Sequence, residues 1–341
     1  MNYRMKMISF FLVMLLLSCT KCVENSATQV PADNDPDNLT LASLEKLDDY
    51  PFYTMIYYGD YNFAARASRT ENFQTYRQFS DADRLPFGCT CFTSLENGNE
   101  ILLGRNFDWD SSIPLLLYTD PPVGYASVSI VDIEFLDYTR QNLPDNYTDR
   151  SNLLEAPWWP FDGMNEMGVA IGMMAVPNAD APFDPSKITL GEIEAIRLVL
   201  DFAASTEEAI QLMGEYNIQM ETPPIHYLIT DRNSESAVIE FVNDEMVVIR
   251  NEEPWQVSTN FIINGSGAPE GSTCWRYNSA YSQLQEAGGA ITSTNAMDIL
   301  QSVSSSTKWS AVYDVISGDI KVAAGMNYNR IYTFNMNEFN R

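Results

Sequence analysis

The stretch Gly88-Cys89-Thr90-Cys91-Phe92, followed by Gly104-Arg105-Asn106-Phe107-Asp108-Trp109, decides how this chain is read. Cys89 and Arg105 lie sixteen residues apart, and the whole sequence holds one histidine, His226. A thiol nucleophile usually borrows a histidine base, so either that ring or some other group must take the proton. The α-amine of Cys89 is the alternative. If the Gly88-Cys89 bond is cut, the freed amine titrates near ~7.7 to 8.0, well placed against a thiol of pKa ~8.5. Gly88 suits such a cut, because a residue without Cβ allows the close backbone approach that attack on its own carbonyl needs.

Working outward, Cys89 to Leu95 and Glu100 to Phe107 read as strands broken at Glu96-Asn97-Gly98-Asn99. Asn-Gly between apolar runs is a hairpin signal. A two-residue turn at Asn97-Gly98 sets Cys89 opposite Asn106, with Asp108 on the same face, whereas a one-residue slip brings Arg105 to that face instead. Presenting both Arg105 and Asp108 needs a bulge or a strand end.

Further strands are read at 126–135, 168–175, 225–231, 236–242, 245–250, 256–262, 310–316, 319–325 and 329–335. Helices are read at 190–203, 205–214, 276–287 and 294–303, the second opened by Ser205-x-x-Glu208, which resembles a capping box. Strands, then helices, then strands with hairpin-length links favour an α+β fold of antiparallel sheets covered by helices.

Acidic residues outnumber basic ones 46 to 20 over 341 residues, so a polyanion is repelled at long range and nucleic acid is excluded as a partner. Residues 1–18 carry Arg4 and Lys6 before the apolar run Ile8 to Leu17, a secretory signal too short to span a bilayer. It ends Leu16-Leu17-Ser18-Cys19, which resembles a bacterial lipobox and makes Cys19 the candidate lipidation site of an exported, membrane-anchored protein, periplasmic or at the cell surface. Residues 19–49 read as a flexible acidic tether. Residues 50–88, with Phe52-Tyr53-Thr54-Met55-Ile56-Tyr57-Tyr58, are too aromatic for a linker and read as a pro-segment packed on the body, which itself spans 89–341.

Six motifs recur in order: Cys89-Thr90, Gly104 to Trp109, Asp162-Gly163-Met164-Asn165-Glu166-Met167-Gly168, Ile225-His226-Tyr227-Leu228-Ile229-Thr230-Asp231, Thr259-Asn260 and Arg276-Tyr277. Together they resemble the choloylglycine hydrolase superfamily of linear-amide hydrolases, which includes penicillin V acylases, bile salt hydrolases, isopenicillin N acyltransferase and acid ceramidase. The resemblance implies an N-terminal-nucleophile hydrolase with an αββα sandwich, two antiparallel sheets between helical layers. It also implies roles. Cys89 attacks an amide carbonyl and its own amine relays the proton. Arg105 favours thiolate and Asp108 aims the amine. Asn260 and the backbone N–H of Ala175 receive the oxyanion, and Arg276 completes the polar cluster. Bile salt hydrolases carry Asn where Ala175 stands, so side-chain contacts there differ while a backbone donor is retained. No cofactor or metal is implied.

Other residues read more plainly. His226, at the head of a strand, is a hydrogen-bonded structural histidine rather than a base. Cys91 reads as a small core residue, and Cys274 as a packing residue. Trp158-Trp159 and Met173-Met174 suit the core better than an acyl pocket. The long segment before Cys89 and the short spacing of Asn260 and Arg276, sixteen positions apart, resemble the acyltransferase and acid ceramidase branch. The expected partner is a small-molecule N-acyl amide with an apolar acyl group, with conjugated bile salts and penicillin V as alternatives, and a homo-oligomer is compatible. A lipoprotein of the same fold that only binds acylated ligands is the competing class, whose mark would be loss of Cys89, Asp108 or Asn260; all three are present.

Overall fold

A strand with one face in water alternates buried and exposed residues. Gly88–Ser94 and Leu102–Asp108 do not, because every residue of both is buried. Both their faces are covered, as happens inside a layered sandwich. In the computed structural model, which describes residues 35–68, 88–109, 112–145, 150–220 and 223–339, two large sheets stack between helices. These elements belong to one compact unit, residues 33–341.

The chain opens with α1 (Pro36–Ala42), β1 (Glu45–Asp48), β2 (Phe52–Tyr57) and α2 (Phe63–Ala67), ahead of β3 (Gly88–Ser94) and β4 (Leu102–Asp108). Next come β5 (Pro114–Thr119), β6 (Ser127–Asp132), β7 (Pro160–Asn165), β8 (Val169–Ala175), β9 (Thr189–Gly191), α3 (Glu192–Phe202), α4 (Thr206–Glu215) and β10 (Asn217–Gln219). The last part holds β11 (Ile225–Asp231), β12 (Ser236–Val242), β13 (Glu245–Arg250), β14 (Trp255–Ser258), α5 (Trp275–Glu286), α6 (Ser293–Ser302), β15 (Trp309–Asp314), β16 (Asp319–Ala324) and β17 (Tyr332–Asn335).

One sheet has nine strands in the order β1-β2-β5-β6-β7-β8-β11-β12-β13, the other six in the order β14-β3-β4-β15-β16-β17. Helices α3 and α4 cover the first, α5 and α6 the second, and β3 faces β8 across the interface. On α3, Ile196, Val199 and Leu200 recur at helical spacing and are fully buried. Half of the capping box at α4 forms as read: Ser205 Oγ accepts the Glu208 N–H at 3.2 Å, while Glu208 Oε2 accepts from Ala204 N–H rather than from Ser205. Between the sheets lie Cys89, Cys91, Phe107 and Phe161, and a separate apolar cluster joins Phe92, Leu102 and Val312 to Tyr277, Leu284 and Leu300 under α5 and α6.

Several expectations change. Residues 36–48, read as tether, form α1 and β1, with Thr40 and Leu41 buried. Periodicity is weak over so short a helix, and its Asp35 cap and Pro36 looked like linker composition. The first eighteen residues and Cys19 lie outside the described residues, as do 69–87 of the segment read as a pro-segment. Its aromatic run is β2, paired in parallel with β5, so the nine-stranded sheet is not wholly antiparallel. Pro114–Thr119 and Pro160–Asn165 are strands that the sequence reading left out. The strand read to 262 stops at Ser258, which leaves Asn260 on a loop.

Candidate active site

The β3–β4 hairpin pairs Cys89 with Phe107, Cys91 with Arg105 and Gly88 with Asp108. This is the slipped register. The turn spans Asn97 to Glu100, closed by Glu100 N–H to the Asn97 carbonyl at 2.9 Å, so Gly98-Asn99 rather than Asn97-Gly98 lies at its centre, within a connection that runs from Ser94 to Leu102. Opposed residues share a face and alternate residues return to it, so Cys89, Cys91, Arg105 and Phe107 all point into the space between the sheets. Asp108 is the last residue of β4, beside Gly88 on the other face. A Cβ on Gly88 would lie 2.9 Å from Asp108 Oδ2, which is why glycine is needed there.

Arg105 crosses the interface. Its Nε donates to Asp162 Oδ2 at 3.0 Å, and both side chains are wholly buried. Asp162 also accepts from Trp309 Nε1 at 3.0 Å and from the Tyr313 hydroxyl. Burial works against the guanidinium charge, yet Cys89, Asp162 and Cys91 beside it outweigh that and hold the Arg105 pKa above its ordinary value. Burial also pushes the Asp162 carboxyl up, only partly opposed by Arg105 and the Tyr313 hydroxyl. Gly172 on the facing strand makes room, because a Cβ there would meet Arg105 Cδ at 2.9 Å and Cys91 Sγ at 3.1 Å.

Asn260 joins the two sheets at the other side of Cys89. Its Oδ1 accepts the Cys89 backbone N–H at 2.6 Å and Arg276 Nη2 at 2.9 Å, and its Nδ2 donates to the Ala175 carbonyl at 2.8 Å. Two donors on one side and an acceptor on the other settle which amide atom is which. The NH2 group carries a second hydrogen that these contacts leave unused. Arg276 Nη1 donates to the Cys89 carbonyl and, at 3.3 Å, to Thr90 Oγ1, and stands 4.0 Å from Asp108 Oδ2.

Asp108 Oδ1 accepts from the Thr307 hydroxyl, at 2.5 Å, while Oδ2 is buried without a hydrogen-bond partner among the described residues. Burial pushes its carboxyl pKa up against the lowering effects of Thr307, Arg276 and Arg105. A buried carboxylate oxygen left open next to the Cys89 backbone is an acceptor waiting for a donor.

The candidate catalytic side chains Arg105, Asp108, Asn260 and Arg276 therefore meet around Cys89, and Ala175 reaches the group through its carbonyl. His226 does not reach it. Its ring is buried against Glu240 and the Thr259 carbonyl, in keeping with a structural histidine. Burial pushes the Cys91 thiol up to about 12, so it stays protonated. Cys89, Cys91 and Cys274 are all free thiols. Met173 and Met174 are core residues, and Trp158 packs against Tyr61 and Phe63. Sequence reasoning missed Asp162 as the partner of Arg105, Thr307 as the donor to Asp108, and Glu240. A signal existed for two of them, since Asp162 and Glu240 are lone acids inside otherwise apolar strands.

The model of the family described as linear amide C-N hydrolases, choloylglycine hydrolase family, matches residues 89–261. A penicillin V acylase from Agrobacterium tumefaciens is similar in structure, with 18% identity and a TM-score of 0.53, covering 73% of this chain and 87% of that one. A variant of the conjugated bile acid hydrolase from Clostridium perfringens is similar at 16% identity and a TM-score of 0.51, covering 73% of this chain and 93% of that one. Likeness at such identities is one of fold, here the N-terminal-nucleophile hydrolase sandwich. No curated protein matches the chain.

Proposed function

Because this chain belongs to the choloylglycine hydrolase family of linear amide C–N hydrolases, we propose that it is a cysteine N-terminal-nucleophile amidase that cuts itself at Gly88-Cys89 and then hydrolyses an N-acyl amide. The observation that carries the reading is the convergence of Arg105, Asp108, Asn260 and Arg276 on one residue, Cys89.

In the first event the Cys89 sulfur attacks the Gly88 carbonyl, the C–N bond breaks as the acyl group moves to sulfur, and water hydrolyses the thioester. Gly88 leaves as a carboxylate and Cys89 gains a free amine. The open Oδ2 of Asp108 and the Oδ1 of Asn260 are the acceptors that would orient that amine. The family match beginning at residue 89 supports placing the working start there.

In turnover the amine takes the thiol proton and the thiolate attacks the substrate carbonyl. The negative oxygen is received by the spare Asn260 N–H and the backbone N–H of Ala175, an arrangement whose single donors are worth ~10² to 10³ in rate. The amine then protonates the departing nitrogen, and water releases the acid from the thioester. Arg105 beside the sulfur favours thiolate. An apolar acyl group is the proposed substrate class, supported by the segment that precedes Cys89 and by the short Asn260–Arg276 interval. Export with a lipid on Cys19 belongs to the same reading and rests on the Leu-x-Ser-Cys ending.

Intact-mass measurement on purified active protein is expected to find a chain beginning at Cys89. Long-chain N-acyl amides are expected to turn over faster than glycine or taurine conjugates of cholate and faster than penicillin V. A Cys89→Ala variant that stays uncut and inactive supports the mechanism. Unchanged turnover by that variant, or activity in a preparation holding only uncut chain, overturns it.

A further inference from the structure

Asn260 sits on a loop, yet its amide must hold its place to within tenths of an ångström if it is to serve Cys89. What holds the loop is a buried pair on the opposite sheet. His226 on β11 and Glu240 on β12 are both fully buried, with Nδ1 3.0 Å from Glu240 Oε1. The other ring nitrogen, Nε2, lies 2.7 Å from the carbonyl of Thr259, the residue before Asn260, and 3.1 Å from Ser258 Oγ. Glu240 then grips the far end of the same loop: Oε1 accepts Ile263 N–H at 2.7 Å and Oε2 accepts Asn264 N–H at 2.9 Å.

We propose that His226 and Glu240 are positioning residues for the amidase reaction, a two-point clamp on residues 259–264 that sets the Asn260 amide against Cys89, Arg276 and Ala175. The inference rests on the function proposed above, since it gives Asn260 its task. Both ring nitrogens face oxygen acceptors, and Glu240 accepts two backbone donors besides facing the ring, so the linked pair ties both ends of this one segment to β11 and β12. A histidine serving only to fill the core would not need one nitrogen aimed at the start of a catalytic loop and the other at the carboxylate that holds its end. Glu240 also explains the lone acid in an apolar strand: the loop presents two backbone N–H groups that no β-ladder satisfies.

A double-mutant cycle with Glu240→Gln and Asn260→Ala tests the clamp, with concentrations set by titrating reactive Cys89. In the parent background Glu240→Gln is expected to lower kcat about 10- to 100-fold with KM within about twofold, because the ground-state acyl contacts are untouched. In the Asn260→Ala background the same substitution is expected to change kcat less than about threefold, since the group it positions is gone. His226→Gln, whose amide still donates to Thr259, should fall between parent and Glu240→Gln. Equal losses from Glu240→Gln in both backgrounds, or a kcat equal to the parent, overturns the proposal. If Glu240→Gln does not fold, hydrogen exchange on the parent decides: slow exchange of the Ile263 and Asn264 amides, matching the core strands, supports the clamp, and fast exchange of both removes it. A Cys89→Ala variant run alongside separates the two readings, because turnover by it sinks the amidase mechanism, whereas an inactive Cys89→Ala beside an unimpaired Glu240→Gln sinks only the clamp.

Discussion

Arg105 on the six-stranded sheet and Asp162 on the nine-stranded sheet form an ion pair at 3.0 Å with no solvent exposure on either side chain. It is a charged link between the layers at the point where the proposed nucleophile sits, and it keeps the guanidinium beside the Cys89 sulfur. Removing one member of such a pair leaves the other charge buried alone, a loss of about 3 to 5 kcal/mol. Asp162→Ala is therefore expected to lower the unfolding free energy obtained from urea titration by an amount in that range, and a loss below about 1 kcal/mol would show that the pair does not anchor the sheets.

Gly172 is the space into which that pair fits. Its Cβ would press on Arg105 Cδ at 2.9 Å and Cys91 Sγ at 3.1 Å, and Arg105 is pinned by Asp162 and has little freedom to yield. Gly172→Ala is expected to destabilise the fold by about 1 to 3 kcal/mol and to reduce turnover by more than tenfold through displacement of the guanidinium. Steady-state kinetics beside chemical denaturation checks both; full activity in a stable variant would mean that the layers adjust freely.

Gly88 answers to a different neighbour. An added methyl would meet Asp108 Oδ2 at 2.9 Å and Asp108 Cβ at 3.0 Å, forcing the peptide to be cut away from its seat. Gly88→Ala is expected to slow self-cleavage about 10- to 100-fold, read as the fraction of uncut chain on a gel over time after synthesis. Cleavage at the parent rate would remove close approach as the reason for glycine.

Asp132 sets a pH dependence of stability. It is wholly buried, its Oδ1 accepts from Ile113 N–H and Glu134 N–H, and burial pushes its pKa up to about 7. The folded chain therefore holds this proton more tightly than the unfolded chain, so stability from this group is complete below about pH 4 and is lost as pH rises towards 7. Asp132→Asn keeps the Oδ1 acceptor and has no proton to lose. Relative to that variant the parent is expected to lose up to about 1.4 kcal/mol per pH unit across this window, measured by urea unfolding at several pH values. Parallel curves for the two proteins would refute the assignment.

The segment before Cys89 and the β3–β4 hairpin were not equally legible. Helices α3 to α6 lie within a few residues of their reading because each has an apolar stripe at helical spacing. Pro114–Thr119 and Pro160–Asn165 escaped because short strands buried on both faces show no alternation, and each begins with a proline that reads as a break. Helix α1 was masked by tether-like composition.

From the residues alone came an α+β class of antiparallel sheets covered by helices, because strand and helix periodicities are local, whereas the sandwich, the proposed nucleophile and the polar groups expected around it came from the resemblance of six ordered motifs to the family. Tertiary structure alone decided which face each group occupies and what it touches. A shift of one residue in the β3–β4 register reverses every side chain, and the turn that sets it reads in two ways. Arg105 meets Asp162, 57 positions away, and His226 meets Thr259, 33 positions away, only because two sheets stack, and that stacking is a property of the whole core rather than of any segment.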